Sequence, residues 1–190
     1  MPLLVALLAS GAGVSCGPGL HDGDEEQSTS QPVGKAGGHI EFMGGKLDID
    51  PGALPWDDVP IRFAWRRAIA HTGALSGVYQ IELPASVCFQ KDPTLTISTT
   101  PEIAAKSHNV IGEMVPSVGD WVPNTSKVRD GCPESTVCGP VQSQIFQTTP
   151  SIRLAIVTEC YAGRDTPCPS GQSCASSNAC QQCPPGSPCP

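Results

Sequence analysis

Ile61-Arg62-Phe63-Ala64-Trp65-Arg66 sets a large apolar side chain at every second position of six, with arginines at two of the positions between. Successive strand side chains point to opposite faces, so this period of two marks a strand with one face in a core and the other toward water. The same alternation recurs on both sides of it. Leu47 and Ile49 stand between Lys46, Asp48 and Asp50, while Tyr79, Ile81 and Leu83 enclose Gln80 and Glu82. Leu95 and Ile97 lie among Thr94, Thr96 and Ser98, and Ile152, Leu154 and Ile156 flank Arg153 and Ala155. Turn residues separate the runs: Gly44-Gly45, Asp50-Pro51-Gly52, Thr72-Gly73, Lys91-Asp92-Pro93 and Asn124-Thr125-Ser126. Asn124-Thr125-Ser126 also fits a glycosylation sequon, but its residue types read as a turn.

Composition agrees with a strand-and-turn chain. The 190 residues include 20 Gly and 20 Pro, and only 15% are charged, against about 25% in an ordinary soluble domain. Gly and Pro punctuate strands and disfavour helix interiors, which argues against a bundle. One stretch competes for helix, Ala64 to Leu75, where Trp65, Ala68, Ile69 and Leu75 form a stripe; a strand followed by a loop is the preferred reading. Roughly seven to nine short strands over residues 35–160 predict an all-β, two-sheet antiparallel sandwich. Residues 161–190 are expected to form an irregular, disulfide-rich tail: Cys168 to Pro190 has no aliphatic side chain larger than Ala, so only cross-links can order it.

The formal charge of -7 is largely local. Asp22, Asp24, Glu25 and Glu26 lie together without a base, whereas residues 31–160 hold ten bases against thirteen acids. A near-neutral body gives no basic surface for phosphates, so nucleic acid is not an expected partner. Residues 16–34 carry the acids, a Ser/Thr/Gln run and almost no large apolar side chain, and are read as a flexible tether. Before them, residues 1–15, MPLLVALLASGAGVS, are too short and too glycine-broken to span a bilayer but have the length of a signal-peptide apolar region with small residues at its end.

Ten cysteines place the chain in an oxidising compartment. Cys88, Cys132, Cys138, Cys160, Cys168, Cys174, Cys180, Cys183 and Cys189 are the disulfide candidates, their connectivity open. Zinc is the rival use, but Cys180-Gln-Gln-Cys183 is the lone C-x-x-C, and His21, His39, His71 and His108 are scattered. No metal or cofactor is therefore assigned. Cys16, directly after the small residues, gives the N-terminus its resemblance to a bacterial lipoprotein signal, which implies cleavage before a diacylated Cys16 and anchorage to the cell envelope, at the outer membrane or cell surface. That family's usual Leu three positions before the cysteine is Gly13 here, and its early base is missing. Ordinary secretory cleavage after Ser15 is the alternative. Lipidation of Cys16 leaves nine cysteines, an odd number, and so predicts one free or intermolecular thiol.

Gly37-Gly38-His39-Ile40, followed by Leu47-Asp48-Ile49-Asp50-Pro51-Gly52-Ala53-Leu54, resembles the opening of ZU5-like β-sandwich domains, and Asp120-Trp121-Val122-Pro123 resembles a later Trp-Pro hairpin strand of bacterial versions. The resemblance covers residues 33–160 and implies an extracellular or scaffolding interaction domain without catalysis. Some members cleave themselves at a His-Phe-Ser step; the nearest counterpart, Ile145-Phe146-Gln147, has neither base nor nucleophile.

Enzyme signatures are sparse. Leu75-Ser76-Gly77 is not a G-x-S-x-G elbow, and no H-E-x-x-H helix or phosphate loop occurs. Asp48 with Asp50, and Asp57 with Asp58 beside Trp56, are the carboxylate pairs that could hold calcium or act on a glycoside; solvent-facing charge is the plainer reading. Trp65 and Trp121 are expected to be packed, leaving Trp56 as the one exposed ring for a sugar. The expectation is a non-catalytic lipoprotein module binding an unidentified protein or glycan, with a secreted carbohydrate- or protein-binding module second and a hydrolase with an unrecognised site third.

Overall fold

The computed structural model describes residues 26–68, 73–115, 120–123, 132–143, 146 and 149–160, with the backbone of 172–174 and 180–182. The expected all-β sandwich is present. One sheet has six strands in the order β1 (Gln27–Val33), β4 (Val59–Arg66), β5 (Val78–Glu82), β10 (Ser151–Thr158), β7 (Asn109–Val115) and β8 (Asp120–Pro123). The other has four, β2 (Gly38–Phe42), β3 (Gly45–Ile49), β6 (Thr94–Ser98) and β9 (Thr136–Pro140). All pairings are antiparallel.

The period-two runs supply the inner faces. Ile61 and Phe63 of β4, Tyr79 and Ile81 of β5, and Ile152, Leu154 and Ile156 of β10 meet Ile40, Leu47, Ile49, Leu95 and Ile97 of the smaller sheet in one core. Each such side chain is worth about 1.5–3 kcal/mol when fully buried, so these rows dominate the driving force. Residues 50–54 turn the chain between sheets as the sequence predicts. Gly52 has φ 76°, Ala53 N–H donates to the Asp50 carbonyl at 3.0 Å, and Ala53 and Leu54 enter the core. Proline before a positive-φ glycine makes this a type II turn. Strand β4 continues to Arg66, so the competing helix from Ala64 does not form there.

Two elements differ from expectation. Residues 27–33, assigned to the tether, form edge strand β1, paired with β4 from Gln27 opposite Trp65 to Val33 opposite Val59. Polar composition forbids a segment from folding alone, but an edge strand takes its hydrogen bonds from a sheet already built and here buries only Val33. The sandwich therefore begins near residue 26 rather than 35. Likewise the tail is not wholly irregular: β11 (Gln172–Cys174) pairs with β12 (Cys180–Gln182), setting Cys174 opposite Cys180.

A short helix, α1 (Pro101–Ala105), follows β6, capped by Thr100, whose side chain accepts from the Ile103 N–H. Beside it, Asn109 donates to the Ile103 carbonyl at 2.8 Å and accepts from the Thr158 hydroxyl at 3.0 Å. On the outer face of the large sheet, Val110, Trp121, Ala155 and Val157 form a second apolar cluster.

Tyr79 joins the sheets. Its ring stacks on Phe63 with centroids 5.5 Å apart, and its hydroxyl crosses to donate to the Met43 carbonyl at 2.6 Å. Met43 and Gly44, with φ 50° and 78°, make the two-residue turn joining β2 to β3. A Cβ on Gly45 would collide with the Tyr79 ring, so this crossing needs glycine there. Tyr79→Phe is expected to cost about 1–2 kcal/mol by orphaning the Met43 carbonyl. Gly45→Ala should cost about 1–3 kcal/mol by overpacking. Urea denaturation of both variants measures the two losses; unchanged midpoints would mean that the sheets do not depend on this crossing.

Candidate functional site

The outer face of the large sheet carries a polar ladder built by the positions that alternate with the core. Register sets Arg62 of β4 opposite Glu82 of β5, Arg66 opposite Val78, and Arg153 of β10 opposite Gln80. Glu26, just before β1, closes the row. One carboxylate oxygen takes Arg62 Nη2, and the other takes both Arg66 Nη2 and Nε, the Nε contact measuring 2.6 Å. Arg62 Nη1 continues to Glu82 at 3.0 Å, Gln80 Nε2 donates to Glu82 at 2.5 Å, and Arg153 Nε donates to Gln80 Oε1 at 3.3 Å. The ladder thus runs unbroken from Glu26 across β4, β5 and β10.

Its carboxylate is held ionised. Partial burial pushes the Glu26 carboxyl up, but hydrogen bonds from Arg62 and then Arg66, with their charges, outweigh it and leave the group below the ordinary 4.5. Glu113 on β7 is the opposite case, for burial alone pushes it to about 7.

The cysteines divide. Cys132 and Cys138 form a disulfide with Cα atoms 5.7 Å apart, stapling the approach to β9 onto that strand. Cys160 is fully buried and disulfide-bonded. Cys88 is a free, half-buried thiol whose Sγ lies 3.2 Å from the Phe146 carbonyl. Cys16, Cys168, Cys183 and Cys189 lie outside the described residues, as do the side chains of Cys174 and Cys180.

The remaining sequence candidates are not brought together. Asp48 pairs with Lys46 at 2.8 Å, and Asp50 is exposed. Asp57 accepts from the Lys35 N–H at 2.8 Å, fixing the turn after β1, while Asp58 is exposed. Among the described residues no three His, Cys, Asp or Glu side chains converge as metal ligands. The Ser76 hydroxyl accepts from the Ile156 N–H at 2.9 Å and donates to the Gly77 carbonyl at 2.8 Å, a backbone-bracing role. Phe146 packs edge-on against Phe89 in the core, its centroid 5.1 Å away, with Ile145 and Gln147 outside the described residues. Trp65 packs against the core, Trp121 is buried with no hydrogen bond at its Nε1, and Trp56 is 47% exposed.

The ladder escaped sequence reading because its partners are up to 73 residues apart. Arginine at the outward positions of β4 was visible; that Glu26 would meet it required knowing that β1 pairs with β4. No family model, curated protein or solved structure matches the chain.

The two perturbed carboxylates act on stability in opposite directions. Glu26 titrates lower in the folded state, so its contribution is complete above about pH 4.5 and is lost as pH falls through its folded value. Glu113 titrates higher when folded, so stability falls as pH rises from 4.5 to about 7. Glu113→Gln should flatten that decline, and Glu26→Gln should flatten the acid limb, in urea midpoints followed from pH 3 to 8. A wild-type decline left intact by Glu113→Gln would assign it to another group.

Proposed function

We propose that the chain is a non-catalytic, envelope-anchored lipoprotein, a ZU5-like sandwich presented on a short tether through a diacyl group on Cys16, which binds a protein or glycan at the cell surface. The observation that carries the reading is cysteine parity. The eight cysteines from Cys132 to Cys189 are an even set, and Cys132, Cys138 and Cys160 are already bonded. Cys88, the odd member of the body, is a free thiol. Complete pairing of the eight leaves Cys16 without a disulfide partner, as a thioether-linked lipid requires. The fifteen apolar and small residues before it and the four clustered acids after it are the leader and spacer such an anchor uses.

The engaged state of the sequence candidates supports a binding or structural role. Ser76 braces backbone, Asp57 fixes a turn and Asp48 holds Lys46. Trp56, exposed beside Asp57 and Asp58, favours a sugar contact as the second reading, in a secreted module without lipid.

Cys16→Ala separates the two. Expressed in a bacterium with a lipoprotein pathway, the wild-type chain is expected in the membrane fraction and the variant in the soluble envelope or the medium. Equal membrane association of both proteins would reject the lipid anchor, and release of both would favour the secreted module.

A further inference from the structure

We propose that residues 26–33 are a releasable strap: the end of the tether docks as β1, clasps one side of the sandwich, and peels from β4 under load without unfolding the domain. The segment pairs with a single neighbour, at the edge of its sheet, and six of its seven strand residues stay out of the core. Three attachments hold it besides its backbone pairing with β4. Glu26 grips Arg62 and Arg66 at the start, Gln31 Nε2 donates to the His39 carbonyl at 3.3 Å on the edge of the opposite sheet, and Val33 enters the core at the end. Gln31 thus links the two sheets on the side where β1 and β2 are edge strands.

What lies beneath stands without it. Ile61 and Phe63 of β4 reach the core through contacts with β5 and the smaller sheet. Arg62 also holds Glu82 at 3.0 Å, a second grip on the receiving guanidinium that does not involve Glu26. Antiparallel register places Gln27 opposite Trp65 and Val33 opposite Val59, so a pull from the N-terminal side loads the Glu26 clamp first and then opens the pairs one by one. Full release of the seven residues moves the point where the chain leaves the sandwich from Gln27 to Val33 and frees a segment about 23 Å long, at roughly 3.3 Å per residue, to swing away from the sheet. The direction of load rests on the anchor proposed above, whereas the docking and its independence from the core do not.

Hydrogen exchange read by mass spectrometry on the full soluble chain tests the strap whatever the fate of Cys16. In wild type, the amides of 27–33 are expected to exchange faster than those of β5 and β10. Glu26→Gln should speed them by about fivefold, the scale of a partly exposed ion pair. Gln31→Ala should speed them less, with β5 and β10 unchanged in both variants. Exchange of 27–33 at the rate of β5 and β10 in wild type and in Gln31→Ala would overturn the proposal, showing one cooperative unit; so would variants that speed all strands equally or leave 27–33 unaffected.

Discussion

The hydrogen bond from Tyr79 to the Met43 carbonyl is the constraint around which the two sheets are arranged. It spans from β5 of one sheet to the β2–β3 turn of the other, and its donor is almost fully buried, at 2% exposure. Burial also raises the Tyr79 hydroxyl to about 12, keeping it protonated as a donor at any ordinary pH. The acceptor belongs to Met43, which holds a left-handed conformation that a side chain with a Cβ disfavours. The bond therefore sets sheet separation, holds a strained turn and requires glycine at position 45, where the ring passes. Ser98 adds a second restraint by donating its N–H to the Gly44 carbonyl at 2.8 Å.

The sequence revealed strands where one face is core and the other is water, as at β3, β4, β5, β6 and β10. It was silent where that contrast vanishes. Residues 109–112 of β7 are buried in succession, because Ile111 faces the core while Val110 and Gly112 face Trp121 and Val157 on the outside. Without a polar face there is no alternation to read. In β9 the inward position beyond Val137 is Gly139, which faces Ile111 and carries no side chain to give a hydrophobic signal. Strand β1 failed for the opposite reason, since its pairing depends on an edge supplied by β4 and hardly on its own side chains. Candidate site residues were legible as residue types, but their engagement was not: nothing near Asp57 in sequence announces the Lys35 N–H, 22 residues away.

The outer face of the large sheet has two characters that divide the molecule's tasks. Toward β1 it is a charged ladder that receives the N-terminal segment; toward β8 it is apolar, with Trp121 buried against Val110, Ala155 and Val157. One acid of the cluster that dominates the net charge, Glu26, is thus fixed to the sheet through Arg62 and Arg66. The cysteines follow the same division. Cys132 and Cys138 staple the body, Cys160 stands fully buried at the last residue before the tail, and Cys88 remains a thiol.

Peptide mapping of the mature protein under non-reducing conditions, after alkylation of free thiols, reads the state of every cysteine at once. Alkylation is expected at Cys88 alone, with a Cys132–Cys138 link, every other bridge confined to the cysteines from Cys160 to Cys189, and an N-terminal peptide beginning at Cys16 with the added mass of a diacylglyceryl group. A Cys16 found in a disulfide, with Cys88 or any other cysteine, would contradict the lipid anchor.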